Sequence, residues 1–128
     1  MYIYLFLFTI LILIIINCLN KSNLIIKESS IHGKGLFTNK DFKKNDTIIV
    51  DVWPYGDKNK FFHNMIHEVK YLNHCNKKSN SDIDLINDKY VLTANKDIKS
   101  GEEILIDYDK LNKKYSFIGS SNPKYKKC

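Results

Sequence analysis

Fifteen consecutive residues, Tyr2 to Ile16, contain Thr9 as their only non-apolar member, and continuing through Asn17 and Cys18 to Leu19 makes eighteen. That is close to the ~20 residues a membrane-spanning helix needs. Isoleucine is a modest helix former in water. In lipid, however, every backbone polar group must be bonded within the segment, which favours a helix regardless. A cleaved secretory signal is the competing reading. It wants a basic leading region and a small-residue cleavage site, and neither Met1-Tyr2 nor Asn17-Cys18-Leu19-Asn20 supplies one. A misassigned start codon is the third reading and would leave a soluble nuclear or cytoplasmic domain. Lys21 and Lys27 follow the apolar run, so the positive-inside rule puts the rest of the chain on the cytoplasmic side of a single-pass anchor. The expected division is residues 1–19 as membrane anchor or uncleaved signal, 20–23 as a polar linker, 24–117 as the folded domain and 118–128 as a basic tail.

With 128 residues in all, the chain has room for one small domain. Its net charge is +6, and all 20 basic residues are lysines, since the sequence has no arginine. Arginine is the usual side chain for bidentate phosphate and base-edge contacts. A lysine-only surface fits loose attraction to acidic partners, not sequence-specific nucleic-acid reading. The bland account, a coding bias toward Lys, Asn and Ile, stands beside it. Cys18, Cys75 and Cys128 are odd in number and form no C-x-x-C pair. Neither a disulfide framework nor a four-cysteine zinc site is expected, and the chain reads as a reduced-compartment protein.

Beyond the linker, Leu24-Ile25-Ile26, Leu36-Phe37-Thr38, Thr47 to Val52, Tyr90 to Ala94 and Ile104 to Tyr108 read as short strands by their β-branched and aromatic content. Lys60 to Tyr71 carries Phe61, Phe62, Met65, Ile66 and Val69 at near-helical spacing. Many short strands with one short helix point to a mainly β domain.

Three separated segments carry chemistry. The first is Ile31-His32-Gly33-Lys34-Gly35-Leu36-Phe37, a Gly-x-Gly turn leading into a strand. It lacks the G-x-G-x-x-G pattern and following helix of a dinucleotide fold. The second is Tyr71-Leu72-Asn73-His74-Cys75, with Asn80 a little further on. The third runs from Tyr90 through Ala94-Asn95-Lys96-Asp97-Ile98-Lys99-Ser100-Gly101-Glu102-Glu103-Ile104-Leu105-Ile106-Asp107-Tyr108. Gly101 suits a turn needing positive φ, and Glu102 and Glu103 read, taken alone, as solvated carboxylates opening a strand. His63 and His67, four apart, followed by His74-Cys75, could ligate zinc by residue type. The pattern is not H-E-x-x-H, because residue 64 is Asn, and the expectation is no metal.

Together these segments resemble the SET domain family of protein-lysine methyltransferases. The first is similar to its G-x-G-[LVI]-[FY] segment and the second to its N-H-S-C-x-P-N motif. The third is similar to its A-x-[RK]-D-I-x-x-G-E-E-[LI]-x-x-D-Y signature, matched almost position by position. Cys75 stands where the family has Ser, the Pro is absent, and Asn80 lies one position too far along. The resemblance implies a β-clip fold of short sheets with a threaded C-terminal segment, in a minimal form like those of viruses and bacteria. It implies S-adenosylmethionine as cofactor, held by Gly33, Lys34, Gly35, Asn73 and His74, the glycines letting the loop backbone approach closely. Tyr108 would be the active-site tyrosine, orienting the lysine amine without acting as an obligate base, and would also line the cofactor site. Tyr115 and Phe117 are the aromatics available to cover the cofactor, or else simply end the core. Tyr55 and Tyr71 are candidates for the lysine channel.

The implied substrate is a protein with an accessible lysine, histone tails being the leading class, although a membrane anchor sits awkwardly with chromatin. Asp51, Asp57, Asp82 and Asp84 could attract a basic peptide or serve only as solvated loop residues. Two other function classes stand beside the enzyme. One is a catalytically degenerate SET module that binds peptide or cofactor, which the departures near Cys75 favour. The other is a lysine-rich membrane-tethered protein binding anionic lipid, which leaves the motifs unexplained.

Overall fold

The computed structural model describes residues 2–19, 22–52, 67–115 and 128. The apolar run forms helix α1, Tyr2–Leu19. Its 18 residues rise about 27 Å at 1.5 Å each, short of the ~30 Å hydrocarbon core. Among the described residues no helix is long and apolar enough to cross a membrane. The segment is therefore helical as expected, whereas a span across the bilayer is not supported.

Strands β1 (Leu24–Glu28) and β2 (Lys34–Thr38) form an antiparallel hairpin with Leu24 opposite Thr38 and Glu28 opposite Lys34. Its loop ends at Gly33, and Lys34 and Gly35 of the first Gly-x-Gly segment open β2. Gly33 takes φ +48° there, and its carbonyl accepts from the Ser29 N–H at 2.7 Å. Strand β3 covers Thr47–Ile49, shorter than the Thr47 to Val52 expected, because the chain leaves the extended region at Asp51, φ 55°. Leu72 follows a 3-10 turn over His67–Tyr71, the described part of the expected helix; Phe61, Phe62, Met65 and Ile66 lie outside the described residues.

Strand β4 is Asn73–His74. Next come β5 (Ser81–Ile86) and β6 (Lys89–Ala94), an antiparallel hairpin in which Asn87 and Asp88 both take positive φ, 49° and 58°. Two consecutive left-handed residues are what a tight two-residue hairpin turn requires, and Asn and Asp tolerate them best after glycine. The three-stranded sheet runs β3-β6-β5, and β4 pairs in parallel with β7, Leu105–Ile106. This bears out a β-rich domain of small sheets.

The chain turns helical at Tyr108, where a continued strand was expected. Asp107 caps helix α2, Tyr108–Tyr115. Its Oδ1 accepts from the N–H groups of Asp109 at 3.0 Å and Lys110 at 3.2 Å, satisfying the orphan donors of the first turn. Asp109 sits in that first turn and Lys113 and Lys114 in the last, complementing the helix dipole.

The main core gathers Leu36, Val52, Val69, Leu72, Ile83, Tyr90, Leu92, Ile104, Ile106 and Leu111, with Phe42, Ala94 and Ile98 forming a second cluster. Leu36, Leu92 and Ile104 are wholly buried, each stabilising the fold by roughly 1.5–3 kcal/mol through loss of apolar contact with water. The expectation of unpaired thiols is corrected at one pair: Cys75 and Cys128, 53 residues apart, are disulfide-bonded, with Cα atoms 5.2 Å apart. The pairing ties the chain end to the residue after β4, and it removes the basis for reading a reduced compartment from unpaired cysteines.

Candidate functional site

The parallel pairing of Asn73 with Leu105 and His74 with Ile106 brings the second and third motifs together at one place in the fold. His74 is buried, and its Nδ1 accepts from the Tyr108 N–H at 3.0 Å. This bond holds the imidazole against the start of α2, with the His74 and Tyr108 rings 5.3 Å apart. The Tyr108 hydroxyl donates to the Leu72 carbonyl at 2.5 Å. Burial pushes its pKa up to about 12, because an apolar setting disfavours the phenolate.

Asn73 reaches the first motif. Its Nδ2 donates to the His32 carbonyl at 3.0 Å, the Lys34 carbonyl at 3.3 Å and Glu103 Oε1 at 2.8 Å. Glu103 Oε2 accepts from the Ser29 hydroxyl at 2.9 Å. Ser29 Oγ in turn accepts from the N–H groups of Ile31 and His32. Gly33, Lys34, Gly35, Asn73 and the third-motif residue Glu103 therefore lie together. Glu103 is no free solvated carboxylate, which corrects the bland sequence reading.

The two glycines differ. At Gly33 the conformation is left-handed and an added Cβ would meet nothing within 4 Å, so φ is the constraint. At Gly35 an added Cβ would run into Glu103 Oε1 and lie 2.8 Å from Glu103 Cδ and 3.0 Å from Ser29 Cβ. Space is the constraint there, and the occupant of that space is a side chain of this protein.

Beside this network opens a cleft of about 350 Å³ lined by Ser30, Ile31, Lys78, Asn80, Glu103 and Leu105 among others, within the ~300–1,000 Å³ range of small-molecule sites. Asn80 is structural in this wall. Its Nδ2 donates to the Glu103 carbonyl and its Oδ1 accepts from the Leu105 N–H, both at 2.8 Å, so its displaced position in the motif still fastens the loop to β7.

Other expected residues fall elsewhere. Tyr115 packs its ring edge-on to Tyr90 at 5.5 Å, and its hydroxyl accepts from the Leu85 N–H at 3.0 Å. It thus ends the core against β5 and β6, the second of the two roles offered for it. Tyr71 stacks edge-on to His67 at 5.4 Å and packs against the main core. Tyr55, Phe117, His63 and Asp57 lie outside the described residues. Asp51, Asp82 and Asp84 pair with Lys89, Lys110 and Lys114, so lysines of the same chain already engage the carboxylates proposed for a basic peptide. His74, Asp107 and Asp109 bring ligand atoms within 4.8 Å of one another, a different grouping from the His63, His67, His74 and Cys75 set considered from sequence.

The SET domain family profile matches residues 50–109, a span that holds the second and third motifs. A solved structure from Plasmodium falciparum, of a protein provisionally assigned as a histone methyltransferase, is similar at 21% identity and a TM-score of 0.48, covering 69% of this chain and 94% of its own. The comparison with curated proteins finds no match. Over the matched span, which lays Asn73-His74 in parallel beside the strand that leads into Asp107-Tyr108, the chain is similar to the SET domain family.

Proposed function

We propose that this domain transfers methyl groups from S-adenosylmethionine to the ε-amine of lysine in a protein substrate. The observation that carries the reading is the convergence of the Gly33–Gly35 loop, Asn73-His74 and Tyr108 through the β4–β7 ladder. The residues present fit the cofactor. The His32 and Lys34 carbonyls collect at one corner, an electron-rich setting for the ammonium group of the cofactor's amino-acid end, and the adjoining cleft has ligand-sized volume. S-adenosylmethionine supplies a methyl group on a positively charged sulfur, which leaves as a neutral thioether.

Gly33, Lys34 and Gly35 present backbone to the cofactor, and Asn73 and His74 border it. Tyr108, held neutral by burial, orients the incoming amine. Its hydroxyl and the Leu72 carbonyl form a polar pair that accepts weak C–H contacts around the reacting methyl. A phenol this reluctant to ionise acts by position and dipole and leaves the amine proton to solvent. Tyr55 and Tyr71 remain proposals for the lysine channel and Phe117 for the cofactor cover. Histone tails lead the substrate classes by family resemblance. The exposed apolar side chains of α1, such as Ile3, Phe8 and Leu13, add the proposal that the domain works at a membrane surface, on its cytoplasmic face.

The full chain in mild detergent, given labelled S-adenosylmethionine and core histones or a mixed protein extract, is the test. Label on lysine that is absent with Tyr108→Phe is the expected result. Cofactor binding without transfer to any protein offered would favour the degenerate module, and a folded chain that binds no cofactor would sink the reading.

A further inference from the structure

Glu103 lies among the residues of the proposed site, yet beyond its place in the third motif the sequence gives it only the look of a strand-opening carboxylate. One oxygen accepts from Asn73 Nδ2 at 2.8 Å and the other from Ser29 Oγ at 2.9 Å. These two donors bracket the Gly-x-Gly loop. Ser29 opens the loop and passes the contact on, since its Oγ accepts from the N–H groups of Ile31 at 3.0 Å and His32 at 3.4 Å. Asn73 closes it, because the same Nδ2 that meets Glu103 also donates to the carbonyls of His32 and Lys34. The chain fold holds Glu103 itself in register: Phe37 bridges Glu103 across the sheet, and the Glu103 carbonyl accepts from Asn80. Gly35 supplies the room, for a Cβ there would occupy the place of the carboxylate.

We propose that Glu103 is a positioning residue that fixes the residue 29–35 loop and Asn73 in the geometry that receives the cofactor, and that Gly35 is glycine to admit its carboxylate. The inference rests on the methyltransferase reading for its functional half. Its structural half, a carboxylate that rigidifies the loop from both ends, stands without it. An acceptor bearing full charge strengthens both hydrogen bonds, and one rigid anion shared by two donors couples them.

Gly35→Ala gives an unusual handle. The new methyl clashes chiefly with the far end of a flexible side chain, while Ser29 Cβ at 3.0 Å needs to give by only a few tenths of an ångström, so the fold accommodates it by swinging the Glu103 carboxylate away. Gly35→Ala should therefore reproduce Glu103→Ala. The pair should be non-additive, because removing the carboxylate frees the space the methyl needs.

The experiment uses the full chain in detergent with five forms: wild type, Glu103→Ala, Glu103→Gln, Gly35→Ala and the Gly35→Ala/Glu103→Ala double variant. Amide hydrogen exchange without ligand comes first. The Ile31 and His32 amides should exchange roughly tenfold faster or more in Glu103→Ala and Gly35→Ala than in wild type, as expected for the loss of a charge-assisted bond. Unchanged exchange overturns the proposal, whatever the cofactor result.

Calorimetry and kinetics with S-adenosylmethionine follow. Both single variants should weaken binding by roughly tenfold, with the effect in KM for the cofactor and kcat at saturation held within about threefold. Glu103→Gln keeps one acceptor oxygen and should recover part of the loss. The double variant should be no worse than Glu103→Ala. Losses that multiply, or a fall in kcat alone, overturn the proposal. A wild-type chain that binds no cofactor defeats the methyltransferase reading instead, and the exchange data still decide whether Glu103 holds the loop.

Discussion

Tyr108 joins sequence and chemistry at the scale of one side chain. Its backbone N–H fixes the His74 ring and its hydroxyl meets Leu72, so Tyr108→Phe removes the second contact and spares the first. Under the proposed function, turnover should fall by roughly 10–100-fold while calorimetric cofactor affinity stays within about threefold; undiminished turnover would remove Tyr108 from the proposed active site. The phenol's pKa, raised from 10.0 to about 12 by burial, also has a stability consequence. The unfolded chain ionises this phenol near pH 10 and the folded chain does not, so its neutral burial is fully favourable below pH 10 and is lost as pH rises toward 12. About 2–3 kcal/mol is at stake. Wild type should lose that increment between pH 10 and 12 in denaturant titrations, and Tyr108→Phe should not. Equal alkaline losses in the two would contradict the burial.

Between elements, the turn before β3 and the turn before Gly101 are clamped reciprocally. Phe42 and Ile98 exchange two backbone hydrogen bonds at 2.8 and 2.9 Å. Asp41 accepts from the Ser100 N–H at 2.9 Å and Asp97 from the Lys44 N–H at 3.0 Å. These backbone donors are the main reason both carboxyls titrate below their ordinary value, with Lys99 and Lys43 adding to it. A lowered folded-state pKa means stability that is present above the unfolded value near 3.8 and lost as pH falls through the folded value. Asp41→Asn with Asp97→Asn should flatten the acid limb of a stability curve, and an unchanged limb would show the clamps to be idle. Packing matters more than these exposed pairs. Leu92 is wholly buried on the central strand β6, and Leu92→Ala should cost about 2–5 kcal/mol by chemical denaturation.

For the molecule as a whole, α1 and the Cys75–Cys128 bond set the two ends of the chain. The α1 side chains from Ile3 to Ile16 that are described as exposed range from 38% to 79% accessible, so the helix draws little support from the domain. Removing residues 1–20 should leave the thermal midpoint within about 2 °C and abolish flotation with liposomes. A large drop in midpoint would mean that α1 is part of the fold. The bond between Cys75 and Cys128 closes 53 residues, which in the chain-entropy account corresponds to about 4 kcal/mol. Reduction, or Cys128→Ser, should lower the unfolding free energy by a substantial part of that amount, and a reduced chain of equal stability would show that the bridge contributes nothing.

What the sequence determined by itself was local or carried by contiguous motifs. The apolar run was expected to be helical, since lipid would require its backbone groups to bond to each other, and it forms α1. The β-branched segments gave β1, β2, β3 and β6, and the Asn73-His74 and Gly101-to-Tyr108 motifs marked the segments that meet at the proposed site. Strand β5 was legible in principle, since Asn87-Asp88 between an alternating run and a β-rich apolar run suits a tight hairpin, but Asp82 and Asp84 made it look like a solvated loop. At Asp107 the strand pattern and the helix cap overlap, and only the hydrogen bonds to Asp109 and Lys110 decide that Tyr108 begins a helix. Tertiary structure alone decided the rest: that Cys75 meets Cys128, that Tyr115 serves the core, and that Glu103 fills the space left by Gly35. Each of these joins residues far apart in the chain, where spacing carries no information and the shape of the folded backbone sets which side chains can touch.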